Sequence, residues 1–342
     1  MAPATFKAAA FSAYGDSSKL EIVELPFPVP AANEVVIKVH AASLNPIDWK
    51  RAGGQLKMFI ADSFPLRTGY DVSGTVESVG SAVTNFTVGQ EVYSRIDERA
   101  GTVAEYVATA QENIALKPAA LSHEEAAGVP LAALTAYQPF KLSGFKDRES
   151  RKFFVPAGAG GVGMFAIQFA KHAFNATEIA TTVSEAKIST VKDLGATTVV
   201  DYKKSDFAKE LKDYDAALDT TGEARKIFGI LKPGASVYSI AAVPSGDYIA
   251  SVFPQTGFLL KQGLNLASAP ARWAASRSKV DYHSFFMKPS GADLAEIGKL
   301  ADAGKLKVLI DSTHPFTLEG VKAAFDKSKS GRATGKIIIK VI

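Results

Sequence analysis

The chain has 342 residues, 47% of them hydrophobic and 22% charged, with a formal net charge of +4. That length suggests about two domains and a core large enough to need no covalent staples. It holds no cysteine, which excludes disulfides and any zinc site built on thiolates.

Residues Met1–Ala10 lack a signal-peptide core, because Lys7 interrupts a short Ala-rich stretch. No apolar run approaches the ~18 residues that span a bilayer. A soluble, cytoplasmic protein with no membrane partner is the expectation. The densest charge cluster, Lys146-Asp147-Arg148-Glu149-Ser150-Arg151-Lys152, is mixed in sign. It reads as a solvated turn, so no nucleic-acid partner is expected.

The first third is β-rich. Val35–Val39, Val72–Val79, Thr84–Val92 and Val103–Thr109 are β-branched stretches punctuated by Gly69, Gly74, Gly80 and Gly89. Short strands with glycine turns at this spacing predict a barrel or a strongly bent sheet. Ser122-His123-Glu124-Glu125 then opens a helix, with Ser as N-cap and Glu three residues on. A second helix is expected over Leu131–Leu142.

From Lys152 strands and helices alternate. Phe153–Pro156, Ile179–Val183, Thr198–Val200, Ala216–Leu218 and Ser236–Ile240 read as strands. Val162–Ala173, Ile188–Leu194 and Phe207–Leu211 read as helices. This rhythm predicts a doubly wound parallel sheet. Segment Phe253–Arg272 breaks the rhythm; with Phe258-Leu259-Leu260 and the later Trp273, it is expected to cover a substrate cleft. In the tail, Ala292–Ala303 and Leu318–Lys327 read as helices, Leu306–Leu309 as extended, and Lys336–Val341 as a terminal strand. That strand must pair somewhere, and the N-terminal β region is the natural partner. The reading is an α/β protein with a discontinuous first domain, 1–123 plus 290–342, and an inserted nucleotide domain, 124–289.

The strongest motif is Gly158-Ala159-Gly160-Gly161-Val162-Gly163. It follows an apolar strand and opens an apolar helix, the context a dinucleotide fingerprint requires. The first glycine is expected to make the turn, the second to admit the pyrophosphate, and the third to let helix and strand pack. The helix N-terminus offers free N–H groups to the phosphates. An NAD site would place an acid at the end of the second strand. Here that strand ends Thr181-Thr182-Val183-Ser184, with Lys187 beyond it. Hydroxyls and a cation suit a 2′-phosphate, so Thr182, Ser184 and Lys187 point to NADPH. Asp219-Thr220-Thr221 ends the fourth strand, which should bring Thr220 to the cofactor crevice. The five histidines are scattered without metal-ligand spacing.

Taken together, several segments resemble the medium-chain dehydrogenase/reductase superfamily, in its zinc-free quinone oxidoreductase and enone reductase branch. They are Ser43-Leu44-Asn45-Pro46-Ile47-Asp48-Trp49-Lys50, Gly69-Tyr70-Asp71-x-x-Gly74, Ala157–Gly163, Gly195-Ala196, Asp201-Tyr202 and Gly331-Arg332-Ala333-Thr334-Gly335-Lys336. The resemblance covers essentially the whole chain. It implies a Rossmann sheet inserted in a GroES-like β-barrel catalytic domain. Zinc-dependent relatives carry an early cysteine and a Gly-His-Glu segment; this chain has Asn45-Pro46-Ile47-Asp48 and Gly69-Tyr70-Asp71 there, and it also lacks the four-cysteine lobe.

The resemblance further implies NADPH-dependent hydride delivery to a conjugated C=C bond or a quinone, with a small conjugated carbonyl or quinone as partner and a monomeric or homodimeric state. A cofactor-binding protein of low activity, with a structural or sensing role, is the alternative. As catalytic candidates it implies Lys50 at the enolate oxygen, Asn45 at the substrate carbonyl or nicotinamide, and Tyr70 in the pocket wall. For the cofactor it adds Thr135 near the nicotinamide or phosphates and Tyr202 at the 2′-phosphate. Ile240 and Ala241 would lie beside the nicotinamide, and Lys336 or Arg332 near the phosphates. Asp48 and Asp71 are read as acids that hold the loop.

Overall fold

The β-branched run Val35-Val36-Ile37 lies in the longest strand, Glu34–Leu44, where side chains alternate between faces yet almost all are buried. Burial on both faces follows from its position. The strand pairs antiparallel with Asp71–Val79, with Tyr106–Ala110 and with the terminal strand Lys336–Lys340. The computed structural model describes residues 3–97, 101–147 and 151–342. Met1 and Ala2 of the N-terminal segment, and Arg148, Glu149 and Ser150 of the mixed-charge cluster, lie outside the described residues.

The chain divides into two compact units: Met1–Leu134 with Lys288–Ile342, and Thr135–Met287. The first unit holds a seven-stranded sheet in the order Ile310–Pro315, Lys336–Lys340, Glu34–Leu44, Asp71–Val79, Glu91–Arg95, Ile114–Leu116, with Tyr106–Ala110 pairing alongside Glu34–Leu44. Register shifts between Val36 and Ile37 and between Val39 and Ala41 bend it, as bulges do. A small sheet of Leu20–Pro26, Thr5–Phe11 and Leu66–Arg67 lies in the same unit. Strand Thr5–Phe11 escapes a reading based on β-branched runs, since three of its seven residues are alanine and only Thr5 is β-branched.

Several expected strand bounds shift: Ser236–Ile240 begins earlier, at Leu231, and Val103–Thr109 later, at Tyr106. The stretch read as Thr84–Val92 becomes a strand only from Glu91 to Arg95. Gly89, at φ 90°, turns the chain first. In the tail, the strand starts at Ile310 rather than at Leu306.

The second unit is built on a six-stranded sheet in which every pairing is parallel. In spatial order its strands are Thr198–Asp201, Glu178–Val183, Lys152–Val155, Tyr214–Asp219, Leu231–Ser239 and Asp281–Ser284. Numbered along this unit, the order is 3-2-1-4-5-6, the doubly wound arrangement with its switch point between strands 1 and 4. Phe154, Ala180, Val200, Ala217 and Val237 form its buried centre with Phe207, Tyr214 and Phe228. The segment that broke the βα rhythm, Phe253–Arg272, lies mostly in the 20-residue helix Phe258–Arg277, and a shorter helix, Gly246–Val252, precedes it.

Gly74 pairs with Val39 at the second bulge, and a Cβ there would stand 2.0 Å from the Lys38 carbonyl oxygen. The obstacle is backbone and cannot swing away. Gly74→Ala should therefore destabilise the first unit by about 1–3 kcal/mol, on the scale of overpacking with a backbone shift. Denaturant unfolding would show it as a lowered midpoint, and a midpoint equal to wild type would contradict the close approach.

Candidate active site

The glycine loop sits at the switch point. Strand Lys152–Val155 ends, and Ala157, not Gly158, takes the left-handed turn at φ 53°. Ala157 N–H donates to Thr182 Oγ1 at 3.1 Å and Gly158 N–H to the Thr182 carbonyl at 3.2 Å. Thr220 Oγ1 donates to the Pro156 carbonyl at 2.9 Å. Both hydroxyls thus pin the loop to neighbouring strands.

The glycines are needed for closeness. A Cβ on Gly158 would meet Thr181 Oγ1 at 2.2 Å, and one on Gly163 would meet the Ala157 carbonyl oxygen at 2.4 Å. On Gly160, by contrast, a Cβ would meet only the Ala157 carbonyl oxygen, at 3.1 Å, so its outer side is open. Helix Gly161–His172 starts directly behind, with Gly160 as N-cap and no side chain filling the cap. A tight inner wall, an open outer side and free N–H groups fit a pyrophosphate.

At the end of strand Glu178–Val183, Thr182 is buried, Ser184 and Lys187 are half-buried and Tyr202 is exposed. Tyr202 is held near that strand by its N–H to the Val183 carbonyl, at 3.3 Å. Glu185, the nearest acid to the expected ribose, pairs with Lys204 at 2.8 Å. Ile240 and Ala241 follow the fifth strand, with Ile240 N–H bonded to the Asp219 carbonyl at 3.0 Å. Thr135 is buried in helix Pro130–Leu142.

Asp219, named in the sequence only as part of the Asp219-Thr220-Thr221 strand end, has a structural part of its own. Its fully buried carboxylate accepts from the N–H groups of Thr221, Gly222 and Glu223 and, at 2.7 Å, from Ser239 Oγ. It thereby fixes the ends of strands 4 and 5 to each other. An acid followed by two threonines and a glycine at a strand end was the available signal.

In the first unit, Asn45 begins helix Pro46–Ala52 and joins a buried polar network. Asp71 Oδ2 accepts from Ser43 Oγ and Asn45 Nδ2, each at 2.8 Å, and from Lys336 Nζ at 3.4 Å. Its Oδ1 accepts from Leu131 N–H at 2.8 Å. Lys336 Nζ also donates to Asn45 Oδ1 and, at 3.3 Å, to the Leu44 carbonyl. The Lys336 and Asp71 side chains are 3% and 0% exposed. Burial lowers the Lys336 pKa, with Asp71 pulling the other way. Lys336 therefore lies inside this network, and its bonds go to Leu44, Asn45 and Asp71. Arg332 is exposed on the approach to the terminal strand.

Asp48, three residues after Asn45, accepts from Asn45 N–H and Gly69 N–H, each at 2.8 Å. Burial is the largest influence on it and pushes its carboxyl up to about 6, against those two backbone donors. Tyr70 is buried; its hydroxyl accepts from Arg51 at 2.8 Å, and Arg95 lies 5.0 Å over its ring. Arg51 is in turn paired with Asp62 at 2.7 Å. Lys50 is exposed, with its ammonium 5.6 Å from the Trp49 ring centre. The structure thus brings Asn45 and Lys336 together and leaves Lys50 on the helix surface. Among the described residues no group of three or more His, Cys, Asp or Glu is placed to hold a metal ion.

A GroES-like unit carrying a polar Asn–Asp–Lys network and a doubly wound unit carrying a glycine loop define a nicotinamide-dependent oxidoreductase fold. Residues 31–121 match the family described as "Alcohol dehydrogenase GroES-like domain", and residues 194–339 the one described as "Zinc-binding dehydrogenase". The chain is 36% identical to the 2-methylene-furan-3-one reductase of Solanum lycopersicum, over 99% of this chain and 80% of that protein. It is 33% identical to the chloroplastic NADPH-dependent alkenal/one oxidoreductase of Arabidopsis thaliana, over 98% and 80%. The solved quinone oxidoreductase of Coxiella burnetii superimposes with a TM-score of 0.84 at 28% identity, over 99% of this chain and 100% of that one. The chain belongs to the medium-chain dehydrogenase/reductase superfamily, in its quinone oxidoreductase and enone reductase branch.

The buried Asp48 gives a pH test. Its folded-state value near 6 lies above the unfolded value near 3.8, so the native protein holds this proton more tightly. The stability it contributes is present at low pH and is lost as pH rises through 6. Between pH 4 and pH 7 the wild type should lose about 2 kcal/mol relative to Asp48→Asn, which has no such titration. Paired denaturant titrations at the two pH values measure this. A stability difference independent of pH would mean Asp48 does not titrate in that window.

Proposed function

We propose that this protein is an NADPH-dependent reductase that adds hydride to the C=C bond of α,β-unsaturated carbonyls, or reduces quinones, without a metal. The observation that carries the reading is the glycine loop at the switch point, in a chain with no cysteine. The names of the tomato and Arabidopsis relatives support the same chemistry. In this reading it is a cytoplasmic monomer or homodimer without a nucleic-acid partner. Among the described residues, no helix is long and apolar enough to cross a membrane.

The backbone amides of Gly158–Gly163 would hold the pyrophosphate, and Thr182, Ser184, Lys187 and Tyr202 would hold the 2′-phosphate. Thr135, Thr220, Ile240 and Ala241 would flank the nicotinamide half. Bound NADPH supplies the hydride. Addition at the β-carbon leaves negative charge on the carbonyl oxygen, and a fixed donor there lowers the barrier. Asn45 Nδ2 gives one hydrogen to Asp71, and we assign its second to that oxygen. Lys50 supplies a cation to the developing enolate, and Tyr70 walls the pocket.

The direct test is steady-state NADPH oxidation with a panel of small enones and benzoquinones, with a saturated ketone as control and the saturated product identified by mass spectrometry. Turnover of the conjugated substrates alone is expected. Tight NADPH binding with no turnover across both panels would replace this reading with that of a cofactor-binding protein.

Two sets of variants examine the residues. Lys187→Glu should raise the Kd for NADPH about tenfold or more and change that for NADH by less than about twofold, because it repels only the 2′-phosphate. Equal changes would remove Lys187 from the phosphate site. Asn45→Ala should cut kcat about 10²-fold, the scale of one lost oxyanion donor, and Lys50→Ala about tenfold, with the Kd for NADPH unchanged in both. An unchanged kcat in either variant takes that residue out of the mechanism.

A further inference from the structure

Helix Phe258–Arg277 presents an uncovered apolar stripe. Leu259 is 84% exposed, Leu266 77% and Trp273 65%, and Phe258 at its start is 71% exposed. Leu259, Leu266 and Trp273 are seven residues apart, which is two helical turns, so they fall on one line about 21 Å long. Gln262, Gly263, Ala267 and Pro270, also exposed, add no charge to that face. The opposite side is anchored, with Ser268 and Ala275 buried and Ala275 part of the sheet's core. Exposed apolar residues scattered singly need no explanation, but a continuous stripe of this size on one helix does.

The charges say what kind of surface would cover it. The helix carries Lys261, Arg272 and Arg277 and no Asp or Glu. Between Gly246 and Met287 the cations Lys261, Arg272, Arg277 and Lys279 outnumber the acids Asp247 and Asp281. Both acids are already engaged: Asp247 pairs with Lys261 at 2.9 Å and Asp281 with His283 at 2.9 Å. Arg277 lies 5.5 Å from the Trp273 ring centre, so a cation flanks the aromatic end of the stripe. Apolar and aromatic side chains on one face of a helix that carries Arg272 and Arg277 and no acid are what an interfacial helix uses at an anionic bilayer.

We propose that helix Phe258–Arg277 docks this protein, lying flat, on an anionic lipid surface. The stripe is far longer than a small conjugated carbonyl, so a substrate does not cover it. Lys261 is already answered by Asp247, but a second copy meeting the same face would add Arg272 and Arg277 to a helix that carries no acid of its own. The sequence expectation of no membrane partner rested on the length of apolar runs. Run length detects segments that span a bilayer and is blind to ones that lie on it.

The experiment is vesicle co-sedimentation and tryptophan fluorescence with the full chain. Vesicles of phosphatidylcholine alone are compared with vesicles in which about a third is phosphatidylglycerol. Binding to the anionic vesicles is expected to be at least about tenfold tighter than to the neutral ones and to weaken in high salt. The emission should shift to the blue, and Trp273→Phe should abolish the shift while Trp49 remains. The double variant Leu266→Glu/Trp273→Glu should lose vesicle binding about tenfold or more while keeping its thermal midpoint and its affinity for NADPH. Absence of vesicle binding, equal binding of neutral vesicles, or binding unchanged in the double variant each overturns the proposal. A concentration-dependent dimer abolished by the double variant would also overturn it, by assigning the stripe to a second copy.

Discussion

Two opposite charges, Lys336 and Asp71, are enclosed in the first unit with side chains 3% and 0% exposed. Taking such charges out of water is expensive, and their attraction repays it only when the remaining donors and acceptors are also met. Here they are met. Asp71 accepts from Ser43, Asn45, Leu131 and Lys336, and Lys336 donates to Leu44, Asn45 and Asp71. These groups come from the end of strand Glu34–Leu44, the start of Asp71–Val79, the start of helix Pro130–Leu142 and the start of the terminal strand. Removing either charge would leave the other buried alone, so the network requires all four segments to be in place together. Asn45 is part of this joint, which is why its side chain has one orientation. A flipped amide would set its NH₂ against the Lys336 ammonium and its oxygen against the Asp71 carboxylate.

The second unit solves a parallel problem with two threonine hydroxyls and one buried carboxylate. Three strand ends must meet a cofactor loop whose backbone cannot supply every bond. Thr182 and Thr220 bind the loop from either side, and Asp219 ties the next two strand ends. Each of these side chains bonds backbone groups at the loop or at a strand end. A rigid loop with an open outer face results, so little ordering remains for binding to impose.

The sequence was most informative where local pattern and tertiary role coincide. Helix Ile188–Leu194 and the Ser122 cap, whose side chain accepts from Glu125 N–H, follow directly from capping and periodicity. The parallel sheet follows from alternation, and its 3-2-1-4-5-6 order suits the glycine fingerprint. Legibility fails where long-range packing decides. The alanine-rich strand Thr5–Phe11 is a strand because it pairs with Leu20–Pro26, not because of its own propensity. The resemblance puts Lys336 near the phosphates, and only its partners, 265 and 291 residues away in sequence, reveal its burial beside Asn45 and Asp71. Glycine usage misleads once, since Ala157 rather than Gly158 takes the left-handed turn. Lys50 marks another limit: motif position suggests its role, while its exposure is decided by which way a helix face points.

The junction of Asn45 with Pro46 has a further chemical consequence. Asparagines in proteins age chiefly when the next residue's backbone nitrogen attacks the side-chain amide and closes a succinimide ring. Proline nitrogen carries no hydrogen and is already tertiary, so that route is closed at Asn45. Conversion to aspartate here would set a new carboxylate against Asp71 in the driest part of the unit. The helix-starting proline therefore also preserves the chemical identity of the one side chain that links the Lys336–Asp71 pair to the proposed site.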